Sequence, residues 1–446
     1  MIDFGLTRRR FLYTTAGICA ASIPAWAQTL PSDKLRAGFI GVGGQGTFLL
    51  GRFLANPRVE VTALCDCNQE RLARAIERNP TASSAKQYAD FRHVLDSKDV
   101  DAVVIASPDH WHCLMGIHAC QAGKDVYVEK PLSLCIEEGR QLVNHARLNK
   151  RVVQVGLMQR SGSWYREAID IVQSGELGKV TVVKAWNIYN RLPGGHRSAE
   201  SEAPATIDWD MWLGPRPTRP YRRDLTRGKF RWVWDFAGGN ITDRGTHTMD
   251  TVLQAMDAEY PQRVSATGGK YVFTDPDDQR ETPDTLNVLY DFGDWTLHYE
   301  AREANHRVNW PSGYGMVFLG TKSSLFVDRG GYRLYKERNR KGVTGDDRIV
   351  GTPGSGQVTS IHALFDPHIQ NFIDCVASRK RPVCDVEIGH RSTNVSHLGN
   401  MAYHAKRTIQ WDGVHEECVG DPEAQELATR TYRSPWGLER IAKPTA

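Results

Sequence analysis

A glycine turn, a carboxylate after a strand, a lysine at a turn and a helix-spaced acid–histidine pair are the residues of this 446-residue chain that could do chemistry. The turn is Gly41-Val42-Gly43-Gly44-Gln45-Gly46. Residues 35–40 before it read as a buried strand, and residues 47–54 after it as an amphipathic helix. In that context Gly41 allows a tight turn, Gly43 lets backbone approach a pyrophosphate, and Gly46 lets the helix pack close to the strand. Gly44 and Gln45 complete the cradle, where free N–H groups at the helix start favour phosphate. Asp66 ends a second strand, 20 residues past Gly46. A carboxylate there accepts hydrogen bonds from both ribose hydroxyls and repels a 2′-phosphate. Cys67 and Asn68 follow it rather than a basic residue, so NAD is favoured over NADP.

Glu129-Lys130-Pro131 follows a strand at residues 125–128. In a doubly wound sheet such a position borders the ligand crevice, where a lysine can hydrogen-bond a substrate hydroxyl and move its proton. A surface lysine at a turn has the same local sequence. Asp243 and His247 lie in a stretch that reads as helical through residue 256. They are then i,i+4 neighbours on one face, with Asp250 a turn further. A histidine beside a carboxylate suits acid–base work near neutrality. A buried, satisfied histidine fits the same spacing. So does a metal site, which has no obvious third ligand beyond the candidates His110 and His112, and no metal is assigned.

These residues need elements to hold them. Strand and helix signals alternate over 35–155: strands at 59–65, 102–106, 125–128 and 152–155, and helices at 69–78, 112–122 and 136–148. Continuous apolar runs such as 102–106 are those of strands buried on both faces. The pattern predicts an α/β fold, a doubly wound parallel Rossmann sheet. After Gly156 the character changes. A helix at 164–174 and a strand at 180–189 precede Pro-, Arg- and Trp-rich loops over 190–235. Strands follow at 262–268, 285–290, 295–300, 314–320 and 324–327. Residues 339–359 read as a surface loop, and helices at 365–378 and 390–408 close the chain. Residues 156–446 are therefore expected to form a C-terminal α+β domain with a large, mostly antiparallel open sheet.

Composition narrows the class. Net charge is +4, and no basic block carries interleaved aromatics, so nucleic acid is not an expected partner. Thr7-Arg8-Arg9-Arg10-Phe11-Leu12 is a twin-arginine pattern; a small, apolar run leads to the A-x-A site Ala25-Trp26-Ala27. Residues 1–27 thus read as a cleaved signal for the twin-arginine export machinery, with 28–34 as a linker and a periplasmic or otherwise exported location. Part of the positive charge belongs to that signal. The nine cysteines are scattered and several sit in apolar contexts, which suits buried thiols better than disulfides.

The ordered set of motifs resembles the Gfo/Idh/MocA family of oxidoreductases. It runs through Gly41–Gly46, Asp66, Ala106-Ser107-Pro108-Asp109-His110-Trp111-His112, Glu129-Lys130-Pro131, Gln159-Arg160, residues 238–250 and Phe372-Ile373-Asp374-Cys375-Val376. Asp208-Trp209-Asp210-Met211-Trp212-Leu213-Gly214-Pro215 and Tyr432-Arg433-Ser434-Pro435-Trp436 look like an exported subgroup. The resemblance implies hydride transfer between a carbohydrate or cyclitol carbon and NAD. It implies Lys130, Asp243 and His247 as the catalytic trio, with His247 favoured as base and Asp243 orienting it or binding substrate. Ser107, Pro108, His112, Glu129 and Lys130 join the cofactor site. Arg160, Asn190, Arg191, His196 and Trp234 are the candidate substrate contacts, with Trp232 as a second stacking ring. The resemblance also implies a homo-oligomer through the open sheet. Three outcomes fit the motifs: net redox with a tightly bound, recycled cofactor; glycoside hydrolysis or epimerisation by transient oxidation; and non-catalytic sugar binding.

Overall fold

The computed structural model describes residues 34–192, 198–339, 342–343, 345–354 and 362–442. The expected signal and linker (apart from Lys34) and His196 lie outside them. The first half alternates β1 (Leu35–Ile40), α1 (Gly44–Leu54), β2 (Val59–Cys65), α2 (Gln69–Arg78), β3 (Lys86–Tyr88), α3 (Phe91–Asp96), β4 (Ala102–Ile105), α4 (Asp109–Gln121), β5 (Asp125–Val128), α5 (Ile136–Leu148) and β6 (Val153–Val155). Their sheet is parallel, in the order β3-β2-β1-β4-β5-β6. The strand order reverses between β1 and β4, so the sheet opens a crevice at their C-terminal ends. Every residue of β4 and β5 is buried, as continuous apolar runs require when helices cover both faces. The polar β3, Lys-Gln-Tyr, has no apolar pattern to mark it and is held by pairing with β2.

The second half begins with α6 (Ser163–Gln173) and β7 (Val180–Ile188). The loop region expected over 190–235 contains a short pair, β8 (Glu200–Ser201) and β9 (Tyr221–Arg222), and α7 (Trp209–Leu213). After α8 (Thr246–Ala255) come β10 (Arg263–Gly269), β11 (Thr285–Asp291), β12 (Thr296–Arg302), β13 (Tyr314–Gly320), β14 (Ser323–Asp328), β15 (Gly331–Lys336), a two-residue pair β16 (Arg338–Asn339) and β17 (Gly342–Val343), and β18 (Arg348–Gly351). Helices α9 (His362–Ser378) and α10 (Val386–Ala405) follow, then β19 (Ile409–Asp412), β20 (Glu417–Cys418) and α11 (Pro422–Glu426). Ten strands form one sheet, β18-β15-β14-β13-β7-β12-β11-β10-β19-β20, antiparallel except for β7 against β12. Alternation is plain in β11 and β12, whose Leu286, Val288, Tyr290, Leu297, Tyr299 and Ala301 face the core. β18 extends the sheet into the stretch that reads as loop, because pairing with β15 completes a pattern too short to be periodic alone.

After residue 361 the chain also returns to the first half. α9 returns to α1, where Phe365 meets Phe48 edge-on at 4.9 Å and Arg52 donates to Asp366 at 2.8 Å. Arg379 donates to Asp125 at 3.0 Å, and Tyr432 to Glu138 at 2.6 Å. The eight cysteines of the described residues are free thiols, all buried except Cys67.

Candidate active site

The glycine turn opens the cavity. Gly41 has φ +83°, and a Cβ there would lie 2.6 Å from the Ser107 nitrogen. A Cβ on Gly46 would lie 1.9 Å from the Gly41 carbonyl, so α1 can begin this close to β1 only with glycine. A Cβ on Gly44 would meet nothing within 4 Å, which leaves the first turn of α1 open toward the cavity. Asp66 is buried at the end of β2; its Oδ2 accepts from Val42 N–H at 3.0 Å and its Oδ1 from Asn68 N–H at 2.9 Å. These bonds brace the turn and leave each oxygen a further lone pair. Burial raises its pKa. Arg71, on the first turn of α2, brings its guanidinium over the turn, where a Cβ on Gly43 would come within 2.6 Å of it. It also donates to the Thr226 carbonyl. No sequence signal singled Arg71 out; helical periodicity folds it back beside Asp66.

Ser107, Pro108 and Glu129 line the same cavity. Glu129 accepts from Gln45 Nε2 at 3.0 Å and so ties α1 to the end of β5. Burial raises its pKa despite Lys130. His112 also lines the cavity, but both its ring nitrogens face carbonyls. Its Nδ1 lies 2.7 Å from the Pro131 carbonyl and its Nε2 2.9 Å from the Ser107 carbonyl. Burial lowers its pKa, so the neutral ring donates to one of the two. It straps two cofactor-side loops together, with no nitrogen left for the cofactor. His110, the other histidine considered as a metal donor, gives Nε2 to the Trp212 carbonyl at 2.9 Å.

Lys130, Asp243, His247 and Asp109 line the same cavity as the glycine turn. The Lys130–Pro131 peptide is cis. Lys130 Nζ donates to the Asp243 carbonyl and to its Oδ1, both at 2.8 Å, and Arg231 Nε reaches the same Oδ1 at 3.2 Å. Burial opposes charge on Asp243, but the two cations outweigh it and hold the carboxyl well below the usual range. This overturns the expected orientation of His247 by Asp243. Residues Ile241–Gly245 form a π-turn, and regular helix starts only at Thr246. A π-turn is wider than an α-turn, so residues four apart lose their stacking and Asp243 turns to the cations instead. His247 is 5% exposed, and its Nδ1 has no partner. Burial, then Arg329 and Lys130, push its pKa well below the ordinary value, leaving a neutral imidazole on the cavity wall. Asp109, at the start of α4, is also buried, with Oδ2 unpartnered; burial pushes its pKa up to about 7 against Arg231 and Lys130.

The expected substrate contacts divide. Arg191 lines the cavity, pairing with Glu303 at 3.2 Å and lying 5.2 Å over the Trp232 ring. Arg160 does not reach it: its Nε is spent on both oxygens of buried Asp250, each at 2.8 Å. Asp250 is thereby a structural acid, also bonded by Ser392 at 2.7 Å. Asn190 is exposed and off the cavity, accepting from Leu192 N–H at 3.1 Å. Trp234 is off it too. A turn closed by Phe236 N–H to the Val233 carbonyl at 3.0 Å carries it to α10, where it packs 4.4 Å from His404. Trp232 lines the cavity in its place. Sequence reasoning did not single out Arg231, Arg244, Arg329 or Phe365, which also line it. The cavity, about 790 Å³, lies within the range of small-molecule sites, and its glycine cradle, Asp66 and open helix start fit a dinucleotide.

The comparisons agree with this architecture. Residues 35–157 match the family model described as an oxidoreductase family with an NAD-binding Rossmann fold, and residues 165–276 and 356–438 match its C-terminal alpha/beta domain. Inositol 2-dehydrogenase of Salmonella paratyphi B is 35% identical over 152 residues, 33% of this chain and 44% of that protein. A glycosyl hydrolase family 109 protein of a Shewanella species is 33% identical over 157 residues, 33% of this chain and 34% of its own length. The chain thus spans less than half the length of these curated relatives. Levoglucosan dehydrogenase in complex with NADH and levoglucosan superposes with TM-score 0.65 at 18% identity, over 84% of this chain and 99% of that one. Aldose-aldose oxidoreductase from Caulobacter crescentus gives 0.63 at 19%, over 84% and 99%. At such identities the likeness is one of fold.

Proposed function

The chain belongs to the Gfo/Idh/MocA family of oxidoreductases, and from that premise we propose that it moves hydride between a sugar, glycoside or cyclitol carbon and NAD held along the cavity. One observation carries the reading. His247, neutral and with an imidazole that makes no hydrogen bond among the described residues, lines the same cavity as the Lys130–Asp243 ion pair and the glycine cradle. A bound nicotinamide supplies the hydride acceptor or donor. The protein's residues do the rest. His247 takes the proton of the reacting hydroxyl; its neutrality is the state a base needs. Lys130, fixed by Asp243, holds the hydroxyl oxygen and stabilises charge developing there. Asp243 positions Lys130, not His247. Asp66 favours NAD by receiving ribose hydroxyls, while Arg71 beside it pairs with phosphate.

The twin-arginine pattern at residues 7–12 supports export with the cofactor already bound, and hence a nicotinamide recycled on the protein. Similarity to glycosyl hydrolase family 109 proteins supports a second reading, in which transient oxidation serves glycoside cleavage or epimerisation. The test is to purify the exported protein, release any nicotinamide by denaturation, and screen sugars and glycosides at the reduced-nicotinamide absorbance band. Turnover that vanishes in His247→Asn is expected. Absence of nicotinamide binding, or full turnover in His247→Asn, defeats the proposal. Product analysis separates net oxidation from cleavage.

A further inference from the structure

The cations around His247 are unequally satisfied. Lys130 and Arg231 share Asp243, and Arg191 pairs with Glu303. Arg244 and Arg329 have no ion-pair partner among the described residues, although both line the cavity with His247. Their visible partners are neutral. Arg244 donates to the Tyr189 hydroxyl at 3.1 Å and lies 4.9 Å over that ring. Arg329 donates to Gln159 Oε1 at 3.3 Å and lies 5.1 Å over the Tyr314 ring. Gln159 is itself held, receiving the Tyr314 hydroxyl at 2.5 Å and donating to Thr251 at 3.2 Å. The guanidinium groups are thus fixed by two tyrosines and the Gln159 amide on the cavity wall they share with His247. A guanidinium fork is suited to carboxylate and other oxyanions, and stacking pre-organises it without neutralising it.

Resting on the oxidoreductase reading, we infer that the substrate is an anionic carbohydrate, bearing a carboxylate or an ester oxyanion that Arg244 and Arg329 receive beside His247. The anion has a second consequence. Arg329 and Lys130 are among the groups that depress His247 basicity, while Asp243 opposes them. An oxyanion docked on Arg329 offsets that positive field, so the correct substrate makes the base stronger on arrival. A neutral sugar does not.

The test measures binding of D-glucuronate, D-glucose 6-phosphate, D-glucose 6-sulfate and D-glucose to the cofactor-loaded protein by calorimetry. At least one anionic sugar is expected to bind about tenfold or more tightly than glucose, with the advantage shrinking as salt is added. The rank among the three identifies the anion. Arg329→Met and Arg244→Met should each reduce the preference severalfold, and the double variant should abolish it, with nicotinamide content unchanged. Arg329→Lys should retain part of it, which separates lost charge from lost folding. Equal binding of all four sugars, or a preference that survives the double variant, overturns the inference. Nicotinamide reduction by neutral sugars alone would do so while leaving the oxidoreductase reading intact; tight anion binding with no nicotinamide change for any sugar would instead support the anion site and defeat the redox reading.

Discussion

At the scale of single residues, the division of labour proposed for His247 and Lys130 rests on what each already holds. Lys130 is committed to Asp243 by two bonds, whereas the imidazole of His247, on the cavity wall, makes no hydrogen bond among the described residues. His247→Asn should lower kcat by about 10²–10⁴-fold with cofactor content unchanged, a loss typical of an acid–base group. His247 stays neutral below its ordinary value of 6.5, because burial and the cations Arg329, Lys130 and Arg244 oppose its protonation. The acid limb of kcat/KM should therefore fall below about pH 6.5 and be absent from the residual rate of His247→Asn. Asp109 gives the opposite stability signature. Its pKa rises from 3.8 to about 7 on folding, so the folded state binds its proton more tightly than the unfolded chain. Stability from this group is complete below the unfolded value and is lost as pH climbs to about 7. Asp109→Asn should thus gain on the parent between about pH 5 and about pH 8, by roughly 2–4 kcal/mol, read by denaturant titration at each pH. Lys130 and His247 were legible from the sequence because each sits in a motif. Arg329 was not: it follows β14 directly and reaches the site only once the sheet is built.

Elements explain both what could be read and what could not. The β1–turn–α1 unit was legible because its contacts are local. Gly41 needs its left-handed φ, and Gly46 must clear a carbonyl five residues earlier. Two alanine substitutions separate these roles. Gly46→Ala should lose bound nicotinamide and several degrees of thermal midpoint, because its Cβ would lie 1.9 Å from the Gly41 oxygen. Gly44→Ala meets nothing within 4 Å, so it should fold as the parent does and lose only cofactor affinity. Equal thermal midpoints for the two variants would contradict this assignment. The turn before α8 was misread for the complementary reason. Its residues carry a helical pattern, but Gly239 at φ +76° and Gly245 pressed against Tyr299 let the chain open into a π-turn. That widening belongs to packing between α8 and the large sheet, which local sequence does not display. The same holds for Arg160: only the juxtaposition of residues 158–161 with α8 reveals that Asp250 consumes it.

At the scale of the molecule, the return of α9 makes the cofactor crevice a joint property of both ends of the chain. Phe365 packs on Phe48 of α1, is 4% exposed, and still contributes to the cavity wall that begins at the glycine turn. A dinucleotide bound along that cavity would meet residues of both α1 and α9. This geometry suits a cofactor retained over many turnovers. Phe365→Ala removes the ring that closes the gap, at a cost of about 3–5 kcal/mol for a buried phenylalanine. The variant should release nicotinamide during gel filtration that leaves the parent loaded, and its thermal midpoint should recover when NAD is added in excess, as mass action requires. Arg379→Ala is the matched comparison. It breaks the junction to Asp125 away from the cavity, so it should lower the midpoint while the nicotinamide remains bound. If both variants lose cofactor in proportion to their lost stability, retention follows global stability; if only Phe365→Ala does, the α1–α9 contact itself is the clasp.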